Sequence, residues 1–324
     1  MPRPDLPSAA RPGVAVIVPN WNGTHLLPDC LDSLARQTFR GFHTLVVDNG
    51  SSDGSLALLA ERYPWANVVA FERNLGFARA VNEGISRTDS ELIALLNNDT
   101  EVEPRWLQEL TEALDAHADA GTAASKILLF DRRDTLHSAG DGYRVDGVPV
   151  NRGVWQQDDG RFDGDVYIFG ACAGGALYRR SMLDDIGLFD ESLVAYCEDV
   201  DLSFRAQLAG YRCVFAPNAR LYHRLSATGG GPLASYYCGR NFITVLFKNM
   251  PGRLLRRYWW RILSSQFGIC ARALFHVREP AARARLRGQA AGLLRLPVTL
   301  RGRRCLKPLR RVPDDYIDSI LLKE

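Results

Sequence analysis

Three carboxylates crowd into the stretch "YCEDVDLSFRAQLAGY", where Glu198, Asp199 and Asp201 fall within four residues. Like charges this close repel, so each acid needs its own reason to be there. A helix starting here accounts for Asp199 or Asp201 as an N-cap or first-turn acid, with Gly210 as its stop. A carboxylate held near a hydroxyl, and not locked in an ion pair, can instead act as a general base. A second cluster, "LLNNDT", puts Asn97, Asn98 and Asp99 directly after an apolar run. It reads as a turn or as oxygen ligands for a hard divalent cation. In "VVDNGSSDGS", Ser52 or Asp53 would cap a helix and leave Asp48 free to accept from a nucleobase N–H. "RNLGFARAVNEGI" sets Asn74 and Gly76 at a helix start suited to phosphate or ribose. His223, 24 residues beyond Asp199, is either an ordinary histidine or a metal ligand.

The elements that must position these residues are legible in the first hundred positions. The runs 14–19, 43–48, 67–71 and 91–96 are short and apolar, and segments of helical spacing lie between them (Leu26–Arg36, Ser55–Tyr63, Phe77–Arg87). That alternation predicts βαβ units with a parallel sheet. Each run ends in polar residues, so all four polar clusters should fall on the one sheet edge where α/β proteins bind ligands. Residues 121–164 read as less regular. "VYIFGACAGGALYRR" (166–180) reads as a strand interrupted by small residues that allow close approach of a ligand. Residues 211–217 read as another strand, with His223 beyond it.

Other chemistries lack their signatures. There is no G-x-x-x-x-G-K-[ST], "GACAGG" has the wrong spacing for a dinucleotide fingerprint, and no G-x-S-x-G elbow occurs. The seven cysteines form no C-x-x-C pair, which suggests reduced thiols in a cytosolic compartment. The N-terminus lacks the apolar core of a signal peptide, and no run is long enough to cross a membrane.

Taken together, "VAVIVPNWNG", "LVVDNGSSDGS", "RNLGFARAVNEGI", "LLNNDTEV", "FGACAGGALYRR", "GLFDESLVAYCEDVDLSFRAQLAGYR" and the later histidine resemble the family 2 glycosyltransferases, in their bacterial rhamnosyltransferase-like branch. The likeness spans roughly residues 14–225. It implies an α/β, Rossmann-like GT-A fold with a mainly parallel central sheet, binding a nucleotide-diphosphate sugar such as a dTDP- or UDP-sugar and a Mg2+ or Mn2+ ion, and inverting the anomeric centre. By matching position, Pro19, Asn20 and Asn22 would line the nucleotide pocket, with Asn74 and Asn98 nearby, and Asp48 would bond the base. Asp99 and His223 would hold the metal, although "NND" lacks the first carboxylate of a D-x-D motif. Asp199 would be the base, Glu198 would orient it or the acceptor, and Asp201 would cap the helix or aid Arg205.

The expected organisation is a flexible segment 1–13, a catalytic domain 14–232 and a helical, basic C-terminal region 233–324. Residues 252–324 hold 17 basic and 5 acidic side chains, a net +12 against −9 for the rest. In 253–277, Arg256, Arg257 and Arg261 alternate with Tyr258, Trp259 and Trp260, a pattern that suits an anionic membrane surface. A helical pair packed on the catalytic domain, or an oligomer contact, is the competing reading. Nucleic acid is not expected as a partner. The expected function is an inverting transferase on the inner face of the cell membrane, extending a glycan or lipid-linked acceptor. A catalytically silent nucleotide-sugar-binding module and a nucleotidyltransferase are the rivals.

Overall fold

The computed structural model describes residues 13–225 and 230–323, so the N-terminal segment apart from Gly13 lies outside the described residues. The expected alternation is present: β1 (Val14–Asn20), α1 (Leu27–Ala35), β2 (Phe42–Asp48), α2 (Ser55–Arg62), β3 (Asn67–Ala70), α3 (Phe77–Ser86) and β4 (Leu92–Leu96). β1 pairs in parallel with β2 and with β4, and β2 with β3. Val14 to Val18 are fully buried on both faces. A strand covered by helices on each side needs such an unbroken apolar run.

After β4 come β5 (Thr100–Val102), α4 (Trp106–Asp115), β6 (Ala120–Leu129), β7 (Leu136–Ser138), β8 (Asp141–Tyr143), β9 (Pro149–Asn151), β10 (Tyr167–Ile168) and β11 (Gly175–Arg179). α5 (Arg180–Ile186), α6 (Glu198–Ala209) and β12 (Arg212–His223) complete the second half. The sheet order is β10-β12-β6-β11-β4-β1-β2-β3. β11 is antiparallel to both β4 and β6, and β12 is parallel to β6. β6 and β12 therefore run in the same direction as β1 to β4. Their carboxyl ends reach the same edge, which brings His223 to the edge that carries Asp99.

Two expectations about this half need correction. The segment from residue 121 is not irregular at its start, because β6 is a ten-residue strand buried along its whole length. Its small residues and Lys126 hide the apolar pattern. Lys126 is buried because its ammonium bonds Asp158 and Asp163 at 2.9 and 2.6 Å. The later strand does not stop at 217 but runs to His223, with irregular register between Ala216 and Arg220.

The C-terminal region is helical, as expected: α7 (Gly231–Asn249), α8 (Gly252–Phe275), α9 (Pro280–Leu294), α10 (Leu296–Cys305) and α11 (Asp314–Ile320). It shares a hydrophobic core with the sheet domain, in which Tyr143, Phe169 and Phe204 meet Leu246, Leu254 and Ile317. α7 and α9 touch backbone to backbone: a Cβ at Gly288 would lie 2.1 Å from the Tyr236 carbonyl oxygen. The pattern in α8 is only partly what the sequence suggests. Tyr258 is buried and donates to Asp318 at 2.6 Å, Arg257 pairs with Asp318, and Arg261 bonds the Lys323 carbonyl. The outer face of α8 carries Trp259, Trp260, Leu263 and Phe267, each more than half exposed. Among the described residues no helix is long and apolar enough to cross a membrane.

Candidate active site

The edge of the sheet is built on a buried amide and carboxylate network. Asn20, at the end of β1, donates from Nδ2 to Asp48 Oδ2 at 2.8 Å and accepts at Oδ1 from Asn98 Nδ2 at 2.7 Å. Gly23 is required beside them, because a Cβ there would lie 2.2 Å from Asn98 Nδ2 and 2.3 Å from Asn20 Oδ1. Asp48 is fully buried, and its other oxygen accepts from the Ser51 N–H at 2.9 Å. It is therefore not free, which corrects the expectation that it waits for a nucleobase. Its carboxylate ties the ends of two strands to the following turn.

The residues expected to line a nucleotide pocket thus divide. Asn20, Asp48 and Asn98 form the supporting network. Pro19 and Asn22 are half-buried and Asn74 is exposed. Asn22 takes a positive φ of 51° and accepts from the Ser52 N–H at 2.8 Å. Asn74 accepts from Asn49 Nδ2 and from the Gly76 N–H, which fixes the turn before α3.

Asp99 and His223 come together as expected. Thr100 of β5 pairs with His223 of β12, and the Arg224 N–H donates to the Asp99 carbonyl at 2.9 Å. His223 Nε2 lies 3.2 Å from Asp99 Oδ1. The other ring nitrogen of His223 is 3.2 Å from His137 Nδ1, and the two rings stack at 4.9 Å. Burial, followed by the neighbouring His223, lowers the His137 pKa to about 4. His137 is therefore neutral at physiological pH and able to accept from its neighbour.

This donor set fits a small divalent cation. Ligand atoms on adjacent octahedral positions around Mg2+ are about 3 Å apart, which is the Asp99–His223 separation. A metal-bound histidine usually donates its second ring N–H to a fixed acceptor, and His137 supplies one. The sequence offered no sign of His137 beyond its type, because it belongs to a short strand in the segment read as irregular.

Asp199 stands on the same side of the fold. The small-residue loop between β10 and β11 forms its floor: the Ala173 N–H donates to Asp199 Oδ2 at 3.1 Å, while the Asn97 N–H donates to the Gly174 carbonyl at 3.1 Å. One loop therefore joins the Asn97–Asp99 turn to the acidic helix. The N-cap of α6 is Cys197, with φ +68° and no side-chain cap bond. Neither Asp199 nor Asp201 caps the helix, but both stand in its first turn, the other place expected for them, and Asp201 meets Arg205 as expected. Asp201 instead is fully buried and bonds Arg205 at 2.9 Å, Lys248 at 2.8 Å and Asn249 at 2.8 Å.

The chain entering α6 is strained. Val194, Tyr196 and Cys197 all have φ near +65°, a conformation that costs non-glycine residues of order 1–3 kcal/mol each. α7 holds it there. Asn241 donates to the carbonyls of Leu193, Ala195 and Tyr196 at 3.0, 3.0 and 2.7 Å, and Arg240 donates to those of Ser192 and Leu193. Sequence reading missed these residues because it assigned α7 to the basic tail. A buried Asn about three turns into the helix was the available signal.

The acids at this site differ in charge. Burial first, and then the Asp199 charge, raises both Glu198 and Asp141 well above the carboxylate range. Burial also raises Asp199, but two backbone N–H groups, those of Ala173 and Val200, oppose it. Like charges this close cannot all ionise. Burial and the neighbouring carboxylate thus push Glu198 and Asp141 toward their protonated forms, while the two N–H bonds favour the charged form of Asp199. Asp141, Cys172 and Asp199 also bring one ligand-type atom each within 4.8 Å of one another. Burial pushes the Cys172 thiol well above its ordinary range, so this group reads as a cluster of acids that share protons.

Residues 15–187 match the family model "Glycosyl transferase family 2", which is more than half of the chain. The chain belongs to glycosyl transferase family 2. It is 29% identical over 259 residues to the N-acetylglucosaminyl-diphospho-decaprenol L-rhamnosyltransferase of Mycobacterium tuberculosis, covering 71% of this chain and 81% of the relative. It is 27% identical to the O-antigen biosynthesis protein RfbC of Myxococcus xanthus, over 68% of this chain and 18% of that larger protein. The resemblance to the rhamnosyltransferase-like branch holds. Among solved structures, the mannosyltransferase PcManGT of Pyrobaculum calidifontis, determined with GDP-Man and Mn2+, matches with a TM-score of 0.56 and 18% identity. That match covers 96% of this chain and 86% of the other. The fold is that of a GT-A glycosyltransferase with a helical C-terminal region, and the protein is a transferase that draws on a nucleotide-sugar.

Proposed function

We propose that this family 2 enzyme is a metal-dependent, inverting hexosyltransferase of cell-surface polysaccharide assembly. It moves a sugar, rhamnose by likeness to its mycobacterial relative, from a dTDP- or UDP-sugar to a hydroxyl of a glycan or lipid-linked acceptor. The observation that carries this reading is the division of labour among the acids. Asp199 rests on the small-residue floor with a backbone N–H on each carboxylate oxygen, while Asp99 and His223 meet at the neighbouring strand ends.

Asp199 accepts the proton of the attacking hydroxyl, the two N–H bonds to its carboxylate favouring the charged form that a base needs. Glu198, whose Oε2 has no hydrogen-bond partner and whose burial favours the protonated form, would hydrogen-bond the acceptor. Asp99 and His223 would hold Mg2+ or Mn2+, and His137 would fix the His223 tautomer. A bound divalent cation supplies the positive charge that stabilises a departing diphosphate. The Asn20–Asp48–Asn98 network keeps the strand ends rigid beneath the nucleotide, and Pro19, Asn22 and Asn74 face it.

The exposed Trp259, Trp260, Leu263 and Phe267 support a peripheral seat on the inner face of the cell membrane, flanked by the basic tail. Of the three arginines in the motif, Arg256 and Arg257 are exposed, but Arg257 pairs with Asp318 and Arg261 bonds the Lys323 carbonyl. Aromatic and aliphatic burial, more than those arginines, would seat the helix.

Incubation with a panel of nucleotide-sugars should release nucleoside diphosphate from one of them, and EDTA should abolish the release until Mn2+ is restored. Asp99→Ala and His223→Ala should each raise the Mn2+ concentration for half-activation by about tenfold or more. If activity survives chelation and neither variant changes the metal dependence, the metal site lies elsewhere.

A further inference from the structure

A cavity of about 330 Å³ lies where the C-terminal ends of α6 and α7 meet α10 and the turn after it. Five cations line it, Lys248, Arg303, Arg304, Lys307 and Arg310, and among the described residues no acid does. Two of the five are matched from outside: Lys248 pairs with Asp190 and Asp201, and Arg310 with Asp314. Arg303 donates to the Phe247 and Met250 carbonyls, which satisfies the end of α7 but brings no full negative charge. Arg304 and Lys307 are exposed and have no ion-pair partner among the described residues.

The inner wall of the cavity is buried, with Leu208, Lys248 and Asn249 forming it. The Lys248 ammonium has three N–H groups and meets two carboxylates, so one N–H is left without an acceptor among the described residues. Asn249 is 3% exposed and donates from Nδ2 to Asp201 Oδ1 at 2.8 Å and to the Val245 carbonyl at 3.2 Å. Both partners are acceptors, so the amide cannot be turned over. Its Oδ1 is therefore left buried without a hydrogen bond. Such an atom is rare in a folded protein and costs free energy until something donates to it. The cavity thus offers several charged donors and one unmet acceptor.

An anion that also carries a hydroxyl matches that set. We infer that the cavity binds a phosphate group bearing or adjoining an O–H, with its anionic oxygens on Arg303, Arg304 and Lys307 and its hydroxyl toward Asn249. Guanidinium groups suit this ligand because they bind phosphate oxygens in pairs and stay charged. Burial and then the Arg310 charge lower the Arg303 pKa, and a bound anion offsets that repulsion. Hydrogen phosphate and the phosphoglycerol headgroup of a lipid share this chemistry. Either occupant lies against Lys248 and Asn249, the two α7 residues that hold Asp201 of α6, and so braces that junction. Asp99, Asp199 and His223 do not line the cavity, so it can fill whether or not the transferase reading holds.

The test titrates full-length wild-type protein at low ionic strength, in a calorimeter, with inorganic phosphate or with sulfate. Sulfate has the charge but no O–H at neutral pH. A single phosphate should bind, about tenfold more tightly than sulfate, because only phosphate can donate to Asn249. Arg304→Gln with Lys307→Gln, at exposed positions that do not test folding, should weaken phosphate about tenfold. Arg278→Gln with Arg287→Gln removes the same charge from exposed positions outside the cavity and should leave the affinity unchanged. Phosphatidylcholine vesicles doped with phosphatidylglycerol separate the two sources. Displacement of bound phosphate by them assigns the site to a lipid headgroup, retention assigns it to a soluble phosphate, and either result supports the site. Absence of phosphate binding, equal binding of the two anions, unchanged affinity in the Arg304 and Lys307 variant, or an equal loss in the control pair would overturn the inference.

Discussion

Asp199→Asn lowers the rate of sugar transfer by about 10²–10⁴-fold and leaves donor affinity within about twofold. The amide fills the volume of the carboxylate, and its oxygen can still accept from the Ala173 or Val200 N–H. It cannot take a proton from a hydroxyl. Burial still raises Glu198 and Asp141 in this variant, which disfavours the charged form that a replacement base would need. Steady-state kinetics with titrated donor would separate the two effects, and near-normal turnover in this variant would remove Asp199 from the mechanism. The pH profile carries a second signature. Burial raises Asp199, so the acid limb of kcat/KM should lie above the ordinary aspartate value of about 3.9, with activity lost as pH falls through the raised pKa. An inflection below that value would contradict the assignment.

Asp201→Ala produces the largest loss of stability, about 3–5 kcal/mol. Asp201 is fully buried and joins Arg205 of its own helix to Lys248 and Asn249 of α7. Removing it leaves two cations with little water and one partner fewer. Arg205 would keep the carbonyls of Ile186, Gly187 and Leu188, while Lys248 would keep Asp190. The coupled loss of order between α6 and α7 should also loosen the strained turn at 194–197. Against burial, Lys248 and Arg205 hold the Asp201 pKa down to about 2. Its folded pKa lies below the unfolded one, so its contribution is present above the unfolded value and lost as pH falls toward 2. Chemical denaturation at neutral pH measures the effect. A change under 1 kcal/mol would mean that the network is not what joins the two helices.

Much of this was legible from local pattern. β1 to β4 showed themselves as apolar runs bounded by polar clusters, and parallel pairing put those clusters on one edge. Asp99 showed itself as a polar residue directly after an apolar run, whereas His223, 124 positions later, was singled out through the family resemblance. What was not legible depends on long-range partners. Lys126 broke the pattern of a buried strand, since nothing local indicates that Asp158 and Asp163 will neutralise it. Asp48 looked free because its partner Asn20 comes from another strand. Asp141 and His137 lie in a glycine-rich stretch whose short strands acquire their positions only by pairing with longer ones. The boundary drawn at 232 separated Asn241 and Lys248 from the loop and helix they hold. Composition changes there, but the site does not end there.

The central claim is a single displacement with one ionised carboxylate as base, and the stereochemistry of the product tests it most directly. A single attack on the face opposite the leaving diphosphate inverts the anomeric carbon, whereas a covalent sugar–enzyme intermediate retains its configuration. The measurement is the ¹H NMR spectrum of the glycoside formed by wild-type protein from its preferred nucleotide-sugar, recorded before any anomeric equilibration. The account predicts a product of configuration opposite to the donor. A product of the same configuration would contradict it.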